Sequence, residues 1–275
     1  MKKQFKLLSG LALALTLTGC GNSSNDENVL KVSATLEPHE TILKEAAPIL
    51  EEEYGITLDI TVLDDYYVFN AALDTGDVDA NFFQHIPFFE EDVKTNGYDL
   101  INAGGIHIEP FGIYSKEYKA VKDVKDGAKV IVSNSVADNG RILAILASEG
   151  LITLPENTDV LDVKISDIDN EKNNPKGLEF IEIKPELLVT AYNNDEGDLV
   201  AINGNYAIQG GLNPVNDTLI LEVANQENPY VNIVATRSEL KDDERIKALV
   251  KVLQSDEIKE FISDKYSDGS VIPTK

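Results

Sequence analysis

Between Leu30 and Gly97 the chain changes its apolar period again and again, and this alternation limits the folds open to it more than any other feature. Leu30 to Ala34 alternates as a strand. Thr41 to Tyr54 repeats apolar residues at Ile42, Leu43, Ala46, Ile49 and Leu50, a helical period, and Gly55 ends it. Ile56 to Leu63 returns to period two, with Leu58, Ile60 and Val62 on one face. Asp64 and Asp65 stand where they cap a helix from about Tyr66 to Thr75, closed by Gly76. Val78 to Phe83 reads as a third strand, and Pro87 opens a helix that Gly97 stops. Strand and helix alternating in this way predict a βαβαβ wrap on a parallel sheet.

The alternation then lapses. Leu100 to Ile108 and Phe111 to Tyr114 follow as strands with no helix between them, so the chain is expected to leave a first lobe near Glu109 to Tyr114. A second α/β run starts with the strand Lys129 to Val132, and Asn139-Gly140-Arg141 reads as a helix opening. Strands are expected at Glu179 to Ile183, Leu199 to Ile202 and Leu219 to Glu222, with a short helix over Asn203 to Gly210. Val231 to Thr236, then helices over Asp242 to Leu253 and Asp256 to Lys265, are expected to rejoin the first lobe. At 275 residues the chain exceeds the usual single-core size. The predicted class is therefore α/β, with two lobes: residues 29–112 and 232–275 in one, 113–231 in the other. The cleft between such lobes is a favoured place for a small ligand.

The first residues are set apart by their own pattern. Lys2, Lys3 and Lys6 precede an apolar run, Leu7 to Leu17, too short to span a bilayer. It ends in Leu17-Thr18-Gly19-Cys20, the form of a bacterial lipobox. Residues 1–19 read as a signal peptide, Cys20 as the lipidated first residue, and residues 20–28 as a polar tether holding the protein to the extracytoplasmic face of the membrane. Cys20 is the one cysteine, so the body has no thiol for catalysis or for a thiolate metal site. Setting aside the three leader lysines leaves 21 basic residues of 24 against 48 acidic ones, a charge of −27. Such a surface repels nucleic acid.

Asp79 to Glu91 reads DANFFQHIPFFEE and places Phe82, Phe83, His85, Phe88 and Phe89 within eight positions. The run crosses from strand end to helix start, where open α/β sheets bind ligands. It has two readings: a ring-lined wall of a small-molecule pocket, or a hydrophobic staple at a helix start. Arg141 carries a planar fork of donors, and one reading of it is a surface or inter-lobe salt bridge, for instance with Asp138. Asn203 offers donor and acceptor together, or simply a cap for the helix that follows. His39, His85 and His107, with Glu37, Glu40 and Glu109 near them, could serve as zinc ligands if separate elements converged. His107 and Glu109 also share a strand face as i and i+2. No G-x-S-x-G, phosphate loop or H-E-x-x-H accompanies them, so no enzyme is expected.

The lipobox, DANFFQHIPFF, IHIEPFGIYS (Ile106 to Ser115), NGRILAIL (Asn139 to Leu146), INGNYA (Ile202 to Ala207) and NPYVNIVATR (Asn228 to Arg237) together resemble the NlpA-type methionine-binding lipoproteins, the substrate-binding proteins of ABC importers. The resemblance covers the chain from about Leu30 to its end. It implies a two-lobe periplasmic-binding-protein fold of type 2. It also implies a ligand that is L- or D-methionine or a small methionine-containing peptide, delivery to an importer's permease and ATPase, and no cofactor. Tyr66, Phe83, His85 and Phe88 match the positions that line the thioether, Arg141 the arginine that holds the α-carboxylate, and Asn203 and Asn232 the asparagines of the head group. Zinc capture is the alternative function. The chain departs from the family pattern at Ser133 to Asp138, where many relatives carry a loop with two prolines, and at Phe88, where tyrosine is common.

Overall fold

The computed structural model describes residues 28–223 and 228–275. The expected signal peptide, Cys20 and the tether as far as residue 27 lie outside the described residues.

The alternating segment folds in the order read, with the third strand at Ala80–His85 instead of Val78 to Phe83. Strand β1 (Val29–Ala34) leads through a helical turn to helix α1 (Thr41–Tyr54), which Gly55 ends in the left-handed conformation at φ 66°. Strand β2 (Thr57–Val62) and helix α2 (Tyr66–Asp74) follow, and the Asp65 carboxylate caps α2 by accepting from the Tyr67 N–H at 3.0 Å. Strand β3 (Ala80–His85) runs directly into α3 (Ile86–Asn96), with Pro87 in its first turn, where a missing N–H costs nothing. Strand β4 (Leu100–Ile108) closes this first run.

The second run is β5 (Gly112–Tyr114), β6 (Lys129–Ser133), α4 (Val136–Ser148), β7 (Glu179–Ile183), α5 (Leu188–Asn193), β8 (Leu199–Ile202), α6 (Gly204–Gln209) and β9 (Ile220–Leu221). The chain ends with β10 (Val231–Arg237), α7 (Glu244–Leu253), α8 (Asp256–Lys265) and β11 (Ile272–Pro273).

Two sheets result. One has the order β11-β4-β10-β3-β1-β2, the other β7-β6-β8-β5-β9. The fold is thus α/β with two lobes, and the chain crosses between them after β4 and again before β10. The first sheet is mixed, not parallel: β1 pairs in parallel with β2 and β3, but β10 lies antiparallel between β3 and β4. A returning strand has taken the place beside β3 that an uninterrupted wrap would give to β4. That insertion puts Asn232 opposite both His85 and His107. The short strand β11 also pairs with β4; two residues are too few to leave a periodic signal. Val62, expected on a buried face, is 41% exposed because β2 is an edge strand.

Each lobe has its own apolar core. Leu30, Val32, Phe82, Leu249 and Ile262 belong to the first; Ile113, Val130, Leu143 and Ala201 belong to the second. A further cluster joins them: Tyr66, Phe69, Phe83 and Phe88 from the first lobe pack with Tyr114, Ile131, Val200 and Tyr206 of the second. Polar ties cross at the same place. The Tyr66 hydroxyl donates to Asn205 Oδ1, the Tyr206 hydroxyl donates to the Asp64 carbonyl, and Lys184 pairs with Asp65 at 3.0 Å. No described helix is long and apolar enough to cross a membrane.

Helix α4 begins at Val136, three residues before the Asn139-Gly140 pair that reads as its opening. Gly140 serves close packing rather than a turn: a Cβ there would collide with the carbonyl oxygen of Val160. Gly140→Ala is therefore expected to cost about 1–3 kcal/mol by overpacking against rigid backbone. Urea unfolding measures it; an unchanged midpoint would show that the 160s segment moves away freely.

Candidate functional site

The aromatic run divides by strand alternation. Phe82 points into the first lobe's core, edge-on to His39 at 4.6 Å, and Phe89 packs in a small cluster with Leu73 and Ile233. Neither reaches the cleft. Phe83 and Phe88 do, with Tyr66: the three rings lie 5.7–5.8 Å apart, tilted or edge-to-face. Phe69 stacks flat behind Phe83 at 4.0 Å and 11°. Two of the four phenylalanines thus build the wall, and the other two build core.

These rings share one cavity with Arg141. Its lining includes Tyr66, Phe83, His85, Phe88, Arg141, Asn203 and Asn232, together with Gln84, Glu109, Asp138, Gly204 and Asn205. All seven sequence-derived candidates are therefore brought together.

Arg141 is 4% exposed and lies in the second turn of α4, not the first. Its ion pair is with Glu222 rather than Asp138: Nε donates to Oε1 at 3.0 Å and Nη2 to Oε2 at 2.6 Å. Nη2 also donates to the Glu109 carbonyl at 2.7 Å. The guanidinium lies over the Tyr230 ring at 4.3 Å and the Phe111 ring at 5.2 Å. Among the described residues nothing accepts from Nη1. Burial pushes the Glu222 carboxyl up, but the charge and bonds of Arg141 outweigh it and hold it below the usual range.

Asp138 is fully engaged elsewhere. His85 Nε2 meets its Oδ1 at 3.1 Å, and Asn203 Nδ2 donates to its Oδ2 at 3.2 Å. Burial raises its pKa, and those bonds with the nearby Arg141 charge more than reverse the shift. Its charge is thus answered inside the second lobe and by His85 across the cleft. Asn203 occupies the N-cap position of α6 but makes no side-chain cap bond. Its Oδ1 is buried and lacks a partner among the described residues, which leaves an acceptor for a bound donor.

Glu109 stands where the chain leaves the first lobe, and its carboxylate lines the cavity; a Cβ on Gly204 would come within 2.9 Å of Oε2. His107 Nε2 lies 2.9 Å and His39 Nε2 3.5 Å from Glu109 Oε1. His39 also meets Asn232 Oδ1 at 3.1 Å and Thr35 Oγ1 at 2.6 Å. Burial lowers His39 to about 4 and His107 to about 3, while burial raises Glu109. Of the zinc candidates, His39, His107 and Glu109 converge, with ligand atoms within 4.8 Å of one another. The others go elsewhere: His85 to Asp138, Glu37 to Thr41 and Tyr266, Glu40 to Lys44. His107 does not line the cavity, so the His107–Glu109 pair does not present an acid and a base to one ligand.

Sequence reasoning overlooks Glu222, Tyr230, Asn205 and Gln84 at the site. Glu222 and Tyr230 flank Arg141 from a segment some 80 residues away, and no local pattern signals such a pairing. Glu109 carries a signal, its shared strand face with His107, but that signal points to metal or acid–base chemistry.

Polar donors and soft rings lining one cavity suit a small molecule with a charged head and an apolar tail. The family model described as NlpA lipoprotein matches residues 30–275. The methionine-binding lipoprotein MetQ of Bacillus subtilis is 50% identical, with 99% of each chain covered. The D-methionine-binding lipoprotein MetQ of Escherichia coli K12 is 33% identical over 98% of this chain and 97% of its own. Among solved structures, a nutrient binding protein from Burkholderia cenocepacia bound to methionine is 35% identical, covers 90% of this chain and all of its own, and superposes with a TM-score of 0.83.

Proposed function

The chain belongs to the NlpA lipoprotein family, and from that membership we propose that it binds methionine outside the cytoplasm and delivers it to the permease and ATPase of an ABC importer. The observation that carries this reading is the single cavity shared by the rings and the guanidinium. In it the thioether lies against Tyr66, Phe83 and Phe88, where sulfur–ring contacts contribute roughly 0.3–1.5 kcal/mol each. The α-carboxylate takes Arg141 Nη1, and Asn203 and Asn232 complete the head-group site. Glu109 supplies the countercharge for the ammonium. The role is one of capture and release, not turnover. Residues 29–112 with 232–275 and residues 113–231 act as the two halves of a clamp. Residues 1–19 are cleaved, and Cys20 carries the lipid that anchors the protein to the outer face of the cell membrane.

The relatives named for methionine and for D-methionine make the stereochemistry an experimental matter. Calorimetric titration with L-methionine, D-methionine and zinc chloride tests the reading. Saturable one-to-one binding of a methionine enantiomer supports it. Stoichiometric zinc binding without methionine binding would favour the second reading, metal capture, which has the convergence of His39, His107 and Glu109 in its favour.

Glu109→Gln is expected to weaken methionine about 10- to 100-fold, the worth of one charge-assisted hydrogen bond. It should leave 4-(methylthio)butanoate, which lacks the ammonium, unaffected. Equal losses for both ligands would remove Glu109 from the head-group site.

A further inference from the structure

We propose that Phe88 is a specificity-determining partition, closing the tail end of the pocket against a second cavity and so restricting the ligand to a short thioether. The inference rests on the methionine reading above. Phe88 is 5% exposed and lines two spaces at once. On one side is the ligand pocket. On the other is a crevice between the lobes, with Tyr67, Glu91, Asp92 and Thr95 of the first lobe facing Ser135 and Val136 of the second. The ring is held between these spaces by neighbours on both sides: Tyr66 at 5.7 Å and Phe83 at 5.8 Å toward the pocket, and Tyr67 at 5.9 Å toward the crevice.

The position is well placed for such a role. Phe88 lies in the first turn of α3, and its N–H is satisfied by His85 Nδ1 at 3.1 Å. Truncating the side chain leaves the helix backbone and that bond in place, and removes the one ring among the described residues that lines both spaces. A tail extended from sulfur would then run on into the crevice. Charge in the crevice decides which tails enter it. Glu91 and Asp92 contribute carboxylates, and Asp92 already accepts from Asn70 at 2.8 Å and Asn96 at 2.8 Å. An uncharged alkyl extension is admissible; an anionic one faces like charge.

The test measures the affinity of methionine, S-butylhomocysteine and S-(3-carboxypropyl)homocysteine for the wild type, Phe88→Ala and the double variant Phe88→Ala/Val136→Trp. The wild type should prefer methionine over S-butylhomocysteine by at least about tenfold, the scale on which an apolar pocket rejects extra methylenes. Phe88→Ala should narrow that ratio about tenfold or invert it, while the carboxypropyl compound stays weak. Val136 is exposed and outside the ligand pocket, so adding tryptophan there should refill the crevice and restore the preference without a further loss of methionine. If Phe88→Ala does not fold, Phe88→Leu should show the same change in smaller degree. A variant that folds and loses both ligands equally overturns the partition. A wild type that binds S-butylhomocysteine as tightly as methionine overturns it too. A wild type that binds no methionine overturns the ligand reading, and this inference with it.

Discussion

Arg141→Ala is expected to lower methionine affinity by about 2–5 kcal/mol, the loss seen when one partner of a buried, hydrogen-bonded charge pair is truncated. The size follows from where the guanidinium sits. It is buried, flanked by the rings of Tyr230 and Phe111, and fixed by Glu222 and the Glu109 carbonyl, and it lines the cavity. Removing it deletes the carboxylate's donor. It also strands the Glu222 carboxylate, whose low pKa depends on Arg141, so part of the loss will appear as lowered stability. Two further variants separate these effects. Arg141→Lys keeps a charge but not the fork, and should recover stability more than affinity. Glu222→Gln leaves the fork in place and lifts its competing carboxylate, so methionine binding should persist. Calorimetry with parallel melting curves checks all three. Wild-type affinity in Arg141→Ala would remove Arg141 from the site.

Acid sensitivity is the second large effect. His39 and His107 are buried with pKa values of about 4 and about 3. The unfolded imidazoles take up protons below about pH 6.5, while the native ones stay neutral until far lower. Unfolding therefore binds protons in this range, and stability falls as the pH drops from about 6.5 toward about 4, by about 3 kcal/mol for each histidine. Glu109 acts in the opposite sense, because burial raises its pKa above the unfolded value and the native state holds its proton longer. Urea midpoints between pH 7 and pH 4.5 should fall steeply in the wild type and less steeply in His39→Gln. Parallel slopes for the two proteins would mean that His39 titrates alike in both states.

The sequence makes much of this architecture legible where the signal is local. Period changes and glycine stops locate α1, β4 and α8 to the residue, and Asp65 is readable as a cap because capping acts over two or three positions. Long-range relations are not legible. Nothing in the sequence of β10 says that it pairs between β3 and β4, yet that placement brings Asn232 to His39. Asn139-Gly140 resembles a helix opening because asparagine and glycine favour turns; its glycine answers to the Val160 carbonyl, which is remote in sequence. The candidate site divides likewise. Residue types name the chemistry of Arg141 and the rings, but the partner that occupies half of Arg141, Glu222, comes from the far end of the second lobe.

The central claim concerns orientation within one cavity. A crystal structure of the protein with methionine tests it most directly. The account predicts the thioether sulfur within about 5 Å of the Phe83, Phe88 and Tyr66 rings and the α-carboxylate on Arg141 Nη1. Sulfur beside Arg141 with the carboxylate among the rings, or methionine bound outside this cavity, would contradict it.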